Sequence, residues 1–146
     1  MTAQASEKLR YNGADHLMCT TPLEDYLAAR EPRPEFMFQS TALRRGYVGN
    51  WEIIDDHLYL TGLRGKLKSG DTVSIQSIFE GFPGSVFAYW YSGIIRLPQG
   101  ELLQYVHGGF ESIYERDLLL HLERGVIKIV VTQRNEPPAA GGETIW

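Results

Sequence analysis

The sequence predicts a mostly β domain of the α+β class: a curved antiparallel meander or barrel-like sheet packed by one or two short helices. Glycine supports this fold class, because 15 Gly residues divide the 146-residue chain into short apolar runs of the length that strands have. Two-residue turn signals separate several of these runs, whereas the helical signals are few and short. The sheet must then cover itself by curling, and a closed barrel or a Greek-key sandwich is the alternative.

The first two hairpins follow from their turn residues. Asn12–Gly13 is a strong signal for a two-residue turn, because both positions must take positive φ. This turn places Arg10 opposite Asp15, an attractive cross-strand pair. The second hairpin turns at Asp55–Asp56, in the register that keeps the apolar residues on one face. That register pairs Trp51 with Leu60 and Ile53 with Leu58.

Two further hairpins are predicted in the second half of the chain by the same argument from register. The third turns at Ser92–Gly93 and the fourth at Arg124–Gly125. The third pairs Trp90 with Ile95 and Ala88 with Leu97. The fourth, which has the cleanest alternation in the chain, pairs Leu122 with Ile127, Leu120 with Ile129 and Leu118 with Val131.

Helical signals occur in two places. Thr21 suits an N-cap position and is followed by Pro22 at the first helical position, so we predict a short helix that continues to Arg30. A second helix of one or two turns is predicted over Val73–Phe79, with Asp71 or Thr72 as its cap.

Length and composition indicate one domain and exclude several kinds of partner. We predict a single globular domain over residues 1–135 and a Pro- and Gly-rich tail over residues 136–146. A formal net charge of −4 gives no basic field for nucleic acid or an anionic membrane surface. Cys19 is the only cysteine, and no apolar run approaches the ~20 residues of a membrane span. We therefore expect a cytoplasmic protein.

Side chains that carry catalysis or hold metals are not grouped along the sequence. No Walker loop, dinucleotide-binding glycine motif or nucleophile elbow is present. Cys19 follows Met18 in an apolar stretch, which is typical of a buried small residue rather than a nucleophile. The histidines lack the spacing of a zinc site: His16, His57, His107 and His121. We expect no metal and no cofactor.

Large polar and aromatic side chains fall outside the aliphatic register of the predicted strands. Such side chains suit a binding face, because Tyr gives a large contact area at low entropic cost and Arg supplies directed donors. The competing interpretation is that these rings pack across strands for stability alone. Among them, His107 and Glu115 are candidates for an acid/base pair. The predicted binding residues are Tyr89, Arg96, Tyr105, His107, Tyr114 and Glu115.

Three motifs carry a resemblance to a group of small bacterial proteins without an assigned function. They are RGYVGNWEI at Arg45–Ile53, LPQGELLQYVH at Leu97–His107 and YERDL at Tyr114–Leu118. The resemblance implies a bacterial cytoplasmic protein and brings no catalytic residues with it. Small proteins of this kind often resemble accessory or immunity components that accompany larger toxins.

Two hypotheses of function follow from these observations. The first is a non-catalytic protein-binding module, such as an immunity or inhibitor-type partner of a larger bacterial protein. The alternative is a small-ligand-binding barrel-like protein with weak acid/base catalysis at His107 and Glu115. Under the first hypothesis the partner is another protein, with neither nucleic acid nor a membrane involved. An exposed sheet edge would also allow a homodimer by strand addition.

Overall fold

The computed structural model describes residues 3–38, 40–82 and 84–136, so the tail predicted from residue 136 onward lies outside the described residues except for Glu136. Within them the chain is mostly β, which confirms the predicted fold class. The helices are α1 (Pro22–Ala28) and α2 (Ile75–Ile78). The strands are β1 (Glu7–Tyr11), β2 (Ala14–Met18), β3 (Tyr47–Ile54), β4 (His57–Gly65), β5 (Val86–Phe87), β6 (Gly93–Gln104), β7 (Ile113–Glu123) and β8 (Val126–Arg134).

The described strands form one sheet in the order β2-β1-β3-β4-β8-β7-β6, with β5 paired to β4. Most neighbours are antiparallel, as predicted, but β1 pairs with β3 in parallel, so the sheet is mixed at this position. After β2 the chain passes through α1 and crosses to the other side of β1. There it forms β3, which runs parallel to β1. The end strands approach where Cys19 N–H donates to the Arg96 carbonyl at 2.9 Å, but the sheet does not close.

The first two hairpins form in their predicted registers. Asn12 and Gly13 take φ values of 52° and 77°, and Arg10 Nη1 lies 3.1 Å from Asp15 Oδ1. The Asp55–Asp56 turn also has positive φ at both residues. Trp51 pairs with Leu60 and Ile53 with Leu58, as the apolar alternation requires.

The predicted Ser92–Gly93 hairpin does not form. Instead β5 pairs with β4, and β6 pairs with β7 along its whole length. The intervening segment packs against α1, where Trp90 Nε1 donates to the Pro22 carbonyl at 2.9 Å. A tertiary contact of this kind outweighs the local preference of a Ser-Gly pair for a hairpin turn.

The Arg124–Gly125 turn forms as predicted, but the register beyond it is shifted. Leu122 pairs with Ile127, and an irregularity between His121 and Leu122 then moves the pairing by one residue. A one-residue shift transfers side chains to the other face of a strand. Ile129 and Val131 therefore lie opposite His121 and Leu119, rather than opposite Leu120 and Leu118.

Both helices lie where the sequence predicts them, but the cap of the second helix is a different residue. Thr21 occupies the predicted N-cap position of α1, but its side chain makes no capping hydrogen bond there. The second helix is shorter than Val73–Phe79, and Ser74 caps it instead of Asp71 or Thr72. Ser74 N–H bonds Ser77 Oγ at 3.0 Å, completing a capping box.

A fully buried carboxylate lies where the segment Arg45–Ile53 meets β1. Glu7 is 0% exposed. Its Oε2 accepts from Gly49 N–H at 2.8 Å and from Arg45 Nη2 at 2.8 Å, and its Oε1 accepts from Trp51 Nε1 at 2.9 Å. Burial raises the pKa of Glu7, although the Arg45 charge and these hydrogen bonds act to lower it. The arginine, glycine and tryptophan of this motif therefore serve the fold.

Candidate functional site

The six side chains predicted to form a binding face lie in two separate places. Tyr89 follows β5 and lines a groove beside α1. The other five belong to β6, β7 and the connection between them. Within the described residues, no hydrogen bond, ion pair or ring contact joins Tyr89 to any of those five.

Arg96 holds the connection between β6 and β7 in place. Its guanidinium donates to the Phe110 carbonyl at 2.6 Å, to the Ser112 carbonyl at 2.8 Å and to Asp117 Oδ1 at 2.8 Å. Asn135 Nδ2 donates to the other oxygen of Asp117 at 3.0 Å. Because these partners already occupy the guanidinium on three sides, the contacts give Arg96 a structural role.

Glu115 and His107 contact different partners. Glu115 Oε1 accepts from Glu101 N–H at 2.8 Å, next to Gly100, whose φ of 81° favours glycine. His107 Nδ1 lies 3.0 Å from Tyr105 Oη, and both rings are exposed. No hydrogen bond among the described residues joins His107 to Glu115, so the structure shows no assembled acid/base pair.

Tyr105 and Tyr114 line a small concavity with Cys19. Burial raises the pKa of the Cys19 thiol, which opposes formation of the reactive thiolate. The concavity measures about 130 Å³, below the ~300 Å³ at which ligand pockets usually begin. These two tyrosines are therefore better placed for a surface contact than for enclosing a ligand.

A larger groove lies between α1 and the segment from Ile78 to Trp90, and it was not predicted from the sequence. It measures about 610 Å³, within the ~300–1,000 Å³ typical of binding sites. Its walls include the rings of Tyr26, Phe79 and Trp90, together with Tyr89 and Phe82. The density of aromatic residues between 79 and 91 was a signal in the sequence, but nothing in the spacing placed Tyr26 of α1 against them.

The free edge of β8 is a second feature that the sequence predicted only in part, since it indicated an exposed sheet edge but not the strand that provides it. β5 occupies the neighbouring edge of β4 at Tyr59 and Leu60, so β8 pairs with β4 only at Val126. Beyond that point, Lys128–Arg134 has no strand on this side within the described part of the chain. Three consecutive apolar side chains are exposed there, namely Ile129 at 57%, Val130 at 46% and Val131 at 39%.

Basic residues flank this apolar run at both ends. Arg116 of β7 lies directly opposite Arg134 of β8, an arrangement of like charges that destabilises a strand pair. Lys128 stands at the other end of the free edge. None of these three cations forms an ion pair with another described residue.

Comparisons with known proteins give no further assignment. No protein-family model, curated protein or solved structure matches the chain. Across the described ranges, no three His, Cys, Asp or Glu side chains are grouped so that they could hold a metal ion. No helix in those ranges is long and apolar enough to cross a membrane.

Proposed function

We propose that this chain is a non-catalytic protein-binding module that accepts a β-strand of a partner protein on the free edge of β8. The observation that carries the proposal is the exposed apolar run Ile129–Val131 on a strand edge without a neighbour. An edge of this kind pairs readily with another strand, through backbone hydrogen bonds for affinity and side chains for specificity. An inhibitor or immunity-type role in a bacterial cytoplasm fits this mode of binding.

Charge selects the chemistry of the incoming strand. Lys128 and Arg134 lie at the two ends of the free edge, and Arg116 faces Arg134 from β7. A strand with apolar residues at its centre and acidic residues at both ends would match this pattern, because opposite charges directly across a strand pair are stabilising. The same acidic side chain would relieve the repulsion between Arg116 and Arg134.

A second copy of this chain fits the same edge less well. Antiparallel two-fold pairing along the whole free edge places Lys128 opposite Arg134 of the second copy, and the symmetry repeats this repulsion. Sliding the second copy towards the Arg124–Gly125 turn runs it into β4, which is paired at Val126. Sliding it the other way places Val130 opposite Arg134 of the second copy. Charge therefore favours a different protein.

The outer face of the sheet extends the apolar contact. Ile94, His121 and Ile129 form one row across β6, β7 and β8, and Arg96, Leu119 and Val131 form the next row. Directly opposed residues share a face in an antiparallel sheet. A partner strand beside β8 would lengthen both rows, so its outward side chains would pack against the exposed Ile129 and Val131.

A peptide probe tests this proposal. The probe has alternating Val and Thr residues with a Glu at each end, and its binding is measured by fluorescence anisotropy. Lys128→Glu and Arg134→Glu should each weaken binding about tenfold, since each change replaces an attractive cross-strand pair by a repulsive one. Arg64→Glu, an exposed change on β4, is the matched control and should leave the affinity unchanged.

Two results would overturn the proposal. One is equal weakening by all three charge reversals, which would show a general electrostatic attraction without strand pairing. The other is a stable dimer of the wild-type chain in sedimentation equilibrium that Ile129→Lys dissociates, which would assign the edge to a second copy. The proposal is supported if the chain is monomeric and only the charge reversals at Lys128 and Arg134 weaken binding of the peptide.

A further inference from the structure

The groove beside α1 has a wall of aromatic rings that are already packed. The ring centroids of Tyr26 and Phe79 lie 4.5 Å apart, and those of Tyr26 and Trp90 lie 5.0 Å apart. Phe79 and Trp90 are stacked with an interplanar angle of 20°. Trp90 is fixed further by its hydrogen bond to the Pro22 carbonyl. These rings are held by one another, so the wall exists before any ligand arrives.

Tyr89 extends this wall into solvent. It is 57% exposed, and its ring meets that of Trp90 edge to face at a centroid distance of 5.5 Å. Phe82 is also about half exposed at the rim. Soluble proteins keep large aromatic surfaces of this kind mainly where they bind something.

More acidic than basic side chains line the groove among the described residues. Asp25 and Glu80 line it and are exposed, and neither forms an ion pair among the described residues. Arg30 is the one basic residue of the described lining, and its guanidinium donates to the Ile78 carbonyl at the end of α2. Burial, and to a smaller extent the charge of Asp25, raises the pKa of Tyr91.

We infer that this groove binds an organic cation, an alkylammonium or quaternary ammonium group seated against the rings of Trp90 and Tyr89 with Asp25 and Glu80 at the rim. Aromatic faces attract such cations through their quadrupole, most strongly on Trp and Tyr. Carboxylates at the rim add attraction without requiring a hydrogen-bond donor on the ligand. The volume accommodates either a small free cation or a methylated lysine side chain of a peptide.

The inference is independent of strand addition at β8, since it uses other residues and another ligand chemistry. Choline and its neutral tert-butyl isostere, in which carbon replaces nitrogen, form a matched pair of probes of nearly equal shape. The indole N–H signal of Trp90 in a ¹H–¹⁵N spectrum reports binding at this groove. Choline should shift that signal with an affinity about tenfold higher than the isostere, the size of a moderate cation–π contribution.

Variants locate the binding on the structure. Tyr89→Ala and the charge-removing change Asp25→Asn should each weaken choline binding several-fold. Tyr105→Ala is the control, because Tyr105 is also 57% exposed but lies in the connection after β6, away from this groove. A parallel titration with a short trimethyllysine peptide decides the source of the cation: tighter binding than choline indicates a peptide, and equal binding indicates a free cation.

The inference is wrong if choline and the isostere shift the Trp90 signal with equal affinity, because the groove would then select only shape and apolarity. It is also wrong if neither probe shifts the signal at high millimolar concentration. Loss of choline binding on Tyr105→Ala with retention on Tyr89→Ala would place the cation elsewhere and overturn it.

Discussion

Arg45 and Glu7 form a nearly solvent-free ion pair that links the segment before β3 to β1. Arg45 Nη2 and Nε lie 2.8 Å and 3.1 Å from Glu7 Oε2, and Nη2 also donates to the Ala5 carbonyl at 2.8 Å. Gly49 is tightly placed beside the carboxylate, since a Cβ there would meet Glu7 Oε1 at 2.6 Å. The pair therefore depends on a glycine at position 49 as well as on its two charges.

Breaking this pair should destabilise the fold severely. Arg45→Met should cost roughly 3–5 kcal/mol, because it leaves a buried carboxylate without its counter-charge. Arg10→Met removes the exposed pair with Asp15 and should cost less than about 1 kcal/mol. Urea unfolding of both variants measures the difference. Equal small losses would contradict the burial of Glu7.

Arg96 should matter more for stability than for direct binding. Arg96→Ala removes the donor to Asp117 Oδ1 and to the carbonyls of Phe110 and Ser112, and should cost about 2–3 kcal/mol. Backbone amides of residues 105–112 should exchange faster in this variant, whereas Arg64→Ala should leave them unchanged. If Arg96→Ala instead lowers partner affinity while stability and exchange are unaltered, Arg96 is a binding anchor, as the sequence predicted.

Alkaline pH should destabilise the protein through buried tyrosines. Burial raises the pKa of Tyr91 from 10.0 to about 12, and burial together with Glu24 also raises the pKa of Tyr47. Between pH 10 and 12 the native state keeps a proton that the unfolded state has lost, so stability falls as pH rises. The Tyr91 contribution should be about 2 kcal/mol. In Tyr91→Phe the free energy of unfolding should fall less steeply over this range, and an identical slope would contradict the assignment.

Removing the tail should have little effect on stability. Among the described residues, every member of the hydrophobic core cluster lies between Leu9 and Leu122, and residues 137–146 lie outside that part of the chain. A Pro- and Gly-rich sequence offers little apolar surface to bury. Deletion of Pro137–Trp146 should leave Tm nearly unchanged in calorimetry. A fall of many degrees would show that Ile145 and Trp146 contribute to the core.

Local chemistry made part of the fold predictable. The Asn12–Gly13 and Asp55–Asp56 turns combine positive φ with apolar alternation on both sides, and such signals need no tertiary information. The role of Glu7 could not be predicted, because its partners lie 38 to 44 residues away in the sequence. The parallel pairing of β1 with β3 is non-local in the same way.

The candidate sites were less predictable than the fold. Alternation alone placed Ile129 and Val131 on the buried face, and the irregularity beside Leu122 moved them to the exposed one. No residue in the sequence indicates that irregularity in the pairing. Tyr89 was singled out from the sequence, but its groove is completed by Tyr26 and Phe79 from two other elements.

Hydrogen exchange on β8 tests the central claim, strand addition at the free edge, most directly. Amide exchange is followed with and without the Glu-ended Val/Thr peptide, over all regions of the chain at once. The account predicts new protection within Lys128–Arg134, because a docked strand gives the outward-facing amides of β8 hydrogen-bond partners. Protection confined to the α1 groove or to residues 105–115, with β8 unchanged, would contradict it.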